Sequence, residues 1–345
     1  MNRIFFSVFF LLCAGVCFAA GPADKAASAF DEGKYSEALG YYQTAADLGD
    51  TEAAVSAGNM YLYGQGGKPD YKKAIGILQK AADKGSARAQ CSLGYIYFSG
   101  FLGKPDYAKA RKWYKKSADL KYEGGYNGLG SLYEEGKGVG QDYNEAFKWY
   151  QKAAESGDTM GMNNLGALYL NGKGAPKDPD KALEWMENAG HKGNLLAMNN
   201  LAYLYMGNFG VNSNMKKSLS WLEEASGKND PEARRKLGEL YMNGTGVQQD
   251  YKKARKYFSL AAEQGNQAAQ MSLGFLLEKG KGGPVDMVEA CKWYWLVFEA
   301  FPEGDDKEYF SKQLDATVKG MTKQQIDESK KRAQVWGENF AKRPQ

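Results

Sequence analysis

Residues 125–157 read GYNGLGSLYEEGKGVGQDYNEAFKWYQKAAESG, and residues 233–265 read ARRKLGELYMNGTGVQQDYKKARKYFSLAAEQG. These stretches start 108 residues apart, three times 36. The same period runs outward from both. Gly58, Gly94, Gly130, Gly166, Gly238 and Gly274 lie 36 residues or a multiple apart, with Ala202 in the missing slot. Leu93, Leu129, Leu165, Leu201, Leu237 and Leu273 each precede that small residue. Tyr61, Tyr97, Tyr133, Tyr169, Tyr205 and Tyr241 follow it by three, then Leu277. Self-similarity at this period is the mark of a stacked repeat.

Each copy carries two helical patterns. In the first, Ala233, Leu237, Leu240 and Tyr241 have the spacing of one helix face. The glycine beside the leucine removes a side chain and lets a second helix approach. Gly64, Gly100, Gly136, Gly172, Gly244 and Gly280 end this helix, where a residue at positive φ is commonly needed. Asp70, Asp106, Asp142, Asp178, Asn214, Asp250 and Asp286 then open the second helix, because their side chains accept from free backbone N–H groups. That helix carries Trp113, Trp149, Trp185, Trp221, Tyr257 and Trp293 in one slot, read as apolar area buried against the next repeat, and Gly49, Gly85, Gly157, Gly193 and Gly265 end it.

The organisation follows. Residues 51–302 form seven repeats, and residues 22–50 form a leading hairpin with Tyr35, Ala38, Tyr41 and Ala45 on its second helix. Pro302 breaks the pattern, and residues 303–345 supply capping helices, the last opened by a Thr322/Gln325 capping box. The start is different: Arg3, then an apolar run from Ile4 to Phe18, then Ala19 and Ala20. This reads as a removable secretory leader at residues 1–19, shorter than the ~20 apolar residues of a membrane span. No stable membrane insertion is expected once it leaves, and the net charge falls from +4 by one with Arg3.

The unit Ala-x-x-x-Leu-Gly-x-Leu-Tyr-x-x-Gly, a loop, Asp-Tyr-x-x-Ala-x-x-Trp-Tyr, Ala-Ala and Gly resembles the Sel-1-like repeat, a relative of the tetratricopeptide repeats. The resemblance covers about residues 50–300, with the leading hairpin nearer a tetratricopeptide unit. It implies an all-α, right-handed superhelical solenoid of antiparallel helix hairpins, with first helices lining the concave face. It also implies an adaptor that binds a protein or peptide, in the periplasm or outside the cell, in bacterial envelope function or host interaction. One cysteine-rich branch of that family is described as penicillin-binding with weak β-lactamase activity, so the alternative is a protein that binds β-lactams or cell-wall fragments. That branch pairs cysteines in nearly every repeat, whereas only Cys91 and Cys291 follow the leader here.

The residues themselves argue against catalysis. His191 is the one histidine, and its equivalents are Asp83, Asp119, Glu155 and Glu263, which reads as solvated surface. Ser213-Asn214-Met215-Lys216 spells a serine–lysine pair, yet Asn214 is a helix cap. Gly136-Lys137-Gly138, Gly172-Lys173-Gly174 and Gly280-Lys281-Gly282 lack the rest of a phosphate loop. Neither metal nor cofactor is expected, and lysines interleaved with acids argue against nucleic acid.

Opposite Leu237, Leu240 and Tyr241, one slot of the first helix reads Val55, Cys91, Asn127, Asn163, Asn199, Arg235, Met271. Asn127, Asn163 and Asn199, with Asn164 and Asn200 beside them, form an expected amide ladder able to pair with a peptide backbone. Tyr95 and Tyr203 with Phe98 and Met206 are the expected apolar anchors. Asn163, Asn199, Tyr203 and Met206 are expected at the centre of the groove.

Overall fold

The computed structural model describes residues 21–300, 305–341 and 343. The expected leader at residues 1–19 and Pro302 lie outside them. Among the described residues there are eighteen helices and no strand, in two compact units divided between Ser86 and Ala87.

The first unit holds two hairpins, α1 (Pro22–Asp31) with α2 (Tyr35–Asp47) and α3 (Thr51–Tyr63) with α4 (Tyr71–Asp83). Each helix packs on the next. The absent side chain of Gly58 is where Leu78 of α4 seats: a Cβ there would lie 2.6 Å from Leu78 Cγ. The turn after α3 brings Gly66 onto the Tyr35 carbonyl of α2.

The second unit continues the order with α5 (Ala87–Ser99), α6 (Tyr107–Asp119), α7 (Glu123–Glu135), α8 (Tyr143–Glu155), α9 (Thr159–Asn171) and α10 (Pro179–His191). Then come α11 (Leu195–Leu204), α12 (Met215–Gly227), α13 (Pro231–Asn243), α14 (Tyr251–Ala262), α15 (Gln267–Glu278) and α16 (Met287–Ala300). Helices α17 (Asp305–Val318) and α18 (Lys323–Ala341) close the chain. The aspartate slot caps as its chemistry dictates: Asp106 accepts from Lys109 N at 2.9 Å, Asp178 from Lys181 N at 3.0 Å and Asp250 from Lys253 N at 2.9 Å. A second set of caps opens first helices: Asp158, Asn194, Asp230 and Asn266. Its 36-residue spacing was equally available in the sequence. Where the glycine that follows a second helix is missing, Lys121 and Asn229 take positive φ in its place.

The tryptophan slot is unevenly buried, with Trp113, Trp221 and Trp293 buried, and at Tyr150 and Phe258 the residue after it lies deeper. Tyr150 is 1% exposed and Phe258 fully buried, each filling the space left by Gly130 and Gly238. Trp149 and Trp185 are only half-buried, while Trp221 lies on Gly190 of the preceding repeat. The Gly-Lys-Gly turns are seams between repeats. A Cβ at Gly174 or Gly282 would collide with the carbonyl of Tyr143 or Tyr251, one repeat back. Lys173 and Lys281 lie over the rings of those same tyrosines at 4.5 and 4.8 Å, a favourable cation–π placement.

At the C-terminal end the capping box forms: Gln325 N donates to Thr322 Oγ1 at 3.3 Å and Thr322 N to Gln325 Oε1 at 2.9 Å. Helix α18 lays Ala333 and Trp336 on the last repeat, with the Trp336 ring edge-on to Trp293 and its Nε1 donating to Glu263 at 2.7 Å.

Candidate functional site

The asparagine slot does form a ladder, but the ladder closes on itself. Asn164 Nδ2 of α9 donates to Asn127 Oδ1 of α7 at 3.0 Å, Asn163 Nδ2 to Asn164 Oδ1 at 3.4 Å, and Asn200 Nδ2 of α11 to Asn163 Oδ1 at 2.8 Å. Asn199 Nδ2 donates to Leu195 O at 3.1 Å and to Asp230 Oδ2 at 2.8 Å, behind the cap of α13. Asn163 is 3% exposed and Asn199 7%. The expectation that these two amides face a groove is therefore corrected: the neighbouring first helix covers them, and they join repeats. Asn127, Asn164 and Asn200 are half-buried on the same seam.

The open site lies one step further on. A cleft of about 240 Å³ is lined by Tyr203 and Met206 from α11 and the residues just after it, and by Arg235, Lys236, Glu239, Leu240, Asn243 and Thr245 from α13 and its turn. It unites three of the residues expected from sequence: Tyr203, Met206 and Arg235. Local sequence explains the opening. Asn208 stands where other repeats have the helix-ending glycine. Helix α11 stops at Leu204, three residues earlier in the repeat than α9 and α13, which is about 4.5 Å of helix. The turn instead uses Gly207 and Phe209 at φ +97° and +58°, and Asn208 Nδ2 donates to Tyr203 O at 2.6 Å. Tyr203 and Phe209 are left 48% and 43% exposed, their rings edge to face at 6.3 Å.

The charges of the cleft are unequal. Arg235 is bound by Glu232 at 2.5 and 2.9 Å and by Glu239. Lys236 is half-buried, with its closest carboxylate partner, Glu232, 4.0 Å away. Burial pushes the Lys236 ammonium below the ordinary lysine pKa, because a charged group loses hydration there.

Other expected residues stand elsewhere. Tyr95 is 40% exposed beside Phe101, and Phe98 sits half-buried under Lys137. His191 is exposed with its ring 4.9 Å from that of Trp221. Asn214 caps α12 through Lys217 N at 3.1 Å. Cys91 and Cys291 are free thiols, pushed by burial up to about 12 and about 11, so neither is a ready thiolate nucleophile at neutral pH. Among the described residues no group of three or more His, Cys, Asp or Glu could hold a metal, and no helix is long and apolar enough to cross a membrane.

Stacked hairpins, within each unit every second helix packed on the first helix of the next, define a helical-repeat solenoid, a class that is typically a non-enzymatic scaffold. Residues 32–50, 51–86, 87–122, 125–158, 159–194, 195–230, 231–266 and 267–294 match the Sel1 repeat, and the chain belongs to that family. Such solenoids commonly act in protein–protein interaction. The chain is similar to the crystal structure of a Sel1 repeat protein from Oxalobacter formigenes, at 28% identity over 84% of this chain and 87% of that one, with a TM-score of 0.60. It also matches a protective antigen present in uropathogenic Escherichia coli strains, at 26% identity over 93% of this chain and 85% of the other, with a TM-score of 0.40. A third match is cysteine rich protein B of Helicobacter pylori, 26% identical over 37% of this chain and 96% of that one, with a TM-score of 0.31. No curated protein matches the sequence.

Proposed function

We propose that this protein is an exported adaptor that holds a protein or peptide partner on the face of its first helices, centred on the α11–α13 cleft. The observation that carries this reading is the short α11. It leaves Tyr203, Met206 and Phe209 at a partly open, mixed aromatic and charged surface, the composition of binding hot spots. The leader-like residues 1–19 support export, into the periplasm or beyond the cell, and a role in the bacterial envelope or at a host surface fits that route.

The test is affinity capture from periplasmic and culture-supernatant extracts with the mature chain and with a Tyr203→Ala/Met206→Ala variant. The variant should melt as the parent does and lose the partner. Undiminished capture by a folded variant would place the binding site elsewhere.

A further inference from the structure

The amide ladder follows a fixed register. The donor on one first helix sits 37 residues after its acceptor: Asn164 to Asn127, Asn200 to Asn163. The next pair in that register is position 236 to Asn199, and there the sequence changes from asparagine to lysine. Asn199 Oδ1 is buried and has no hydrogen-bond partner among the described residues. The Lys236 ammonium likewise makes no hydrogen bond among them; of the three carboxylates around it, Glu232, 4.0 Å away, and Glu239 are bonded to Arg235, and Asp230 is bonded to Asn199. A lysine has three donors and no acceptor, so even one bond to Asn199 would leave two. Lys236 shares its nearest carboxylate with Arg235 and keeps donors to spare, and it borders a cleft with Tyr203, Met206 and Leu240 on its walls.

We propose that this cleft takes an acidic side chain from an extended peptide, its carboxylate paired with Lys236 and a neighbouring apolar side chain against Tyr203, Met206 and Leu240. The occupant is an internal residue, not a chain end. Helix α15 packs directly on α13, and α9 is bonded to α11 through Asn163 and Asn200. A strand crossing the first helices therefore runs on past the cleft in both directions. The inference rests on the adaptor reading and adds the chemistry of its partner.

Fluorescence polarisation on the full chain tests it with three labelled peptides. One is amidated Gly-Ser-Leu-Glu-Ser-Gly, the second the same peptide with Gln for Glu, and the third Gly-Ser-Gly-Ser-Leu with a free C-terminus. The Glu peptide should bind about tenfold tighter than the Gln peptide, the order expected of a charge-assisted hydrogen bond. Lys236→Met should erase the difference, and Lys236→Arg should keep it. Lys236→Gln stands in if the Met variant does not fold. Equal affinity for the Glu and Gln peptides, tightest binding of the free-terminus peptide, or no binding of any peptide overturns the proposal. Partner capture separates the two readings. If Lys236→Met captures the partner normally while Tyr203→Ala/Met206→Ala does not, the adaptor reading stands and the carboxylate pairing fails. If both variants capture it, the cleft is not the adaptor site.

Discussion

Helices α9 and α11 occupy the same place in successive repeats and both tie asparagines to their neighbours, yet their C-terminal ends differ. In α9 the helix runs its full thirteen residues to Gly172, and Asn163 and Asn164 are tied to neighbours on both sides. In α11 the helix is ten residues long, and Tyr203 faces outward beside an irregular turn. Regularity in this chain serves cohesion: a side chain that fits the repeat is consumed by the next repeat. Surface able to receive something else arises where the pattern lapses, at Asn208 in a glycine slot and at Lys236 in an asparagine slot.

That contrast can be broken or sharpened by substitution. The largest effect is expected at the small-residue slot. Leucine at Gly166 would strike Met186 Cγ and the Ala182 carbonyl, at 2.8 and 3.1 Å from the first added carbon. Overpacking of this kind should cost about 3 kcal/mol in urea unfolding. Alanine already occupies that slot in α11 as Ala202, fully buried, so Ala202→Gly should cost under about 1 kcal/mol, through backbone entropy. Comparable losses from the two changes would mean that the two repeats pack alike.

Next comes the ladder. Asn163→Leu strands the Asn200 donor and the Asn164 acceptor, and should lower stability by about 2 kcal/mol, read from the denaturant midpoint. An unchanged midpoint would remove the ladder as a joint. Lys236→Asn runs the other way. It places an amide in register with the unpartnered Asn199 Oδ1 and should raise stability by about 1 kcal/mol while removing the lysine's positive charge from the cleft. A fall in melting temperature would show that the register does not extend to α13.

The smallest effect concerns pH. Asp158 caps α9 through Met160 N and Gly161 N, and burial, with Glu123 adding to it, raises its carboxyl pKa. A folded pKa above the unfolded one means that stability falls as pH rises between the two, and the penalty is complete above the folded value. Asparagine keeps the cap without the charge. Asp158→Asn should therefore gain a few tenths of a kcal/mol at neutral pH and lose that advantage near pH ~3, below the ordinary aspartate pKa. A melting series across that range with parallel curves would contradict the assignment.

Much of this was legible in the residues. Period, helix starts at Asp106 or Asp178, helix ends at Gly136 or Gly172, and the Thr322/Gln325 box depend on local backbone chemistry, which a sequence displays directly. Burial between repeats is another matter. Trp149 and Tyr150 are adjacent aromatics about 100° apart on one helix, and periodicity alone does not say which one meets Gly130. Asn163 similarly lies on the outer side of α9 only until the next first helix is laid across it. The cleft had a signal that the repeat reading passed over: the glycine series omits position 208.

Helix α18 also bears on how the protein behaves in company. A repeat stack has no inherent length, because the last hairpin presents the same kind of apolar side that the next would cover. Trp336, edge-on to Trp293 and bonded to Glu263, covers part of that side with a helix outside the repeat pattern. Removing that cover would bare an apolar side, and a bared side of this kind can give other copies a place to add, the route by which a discrete stack becomes an open-ended fibre.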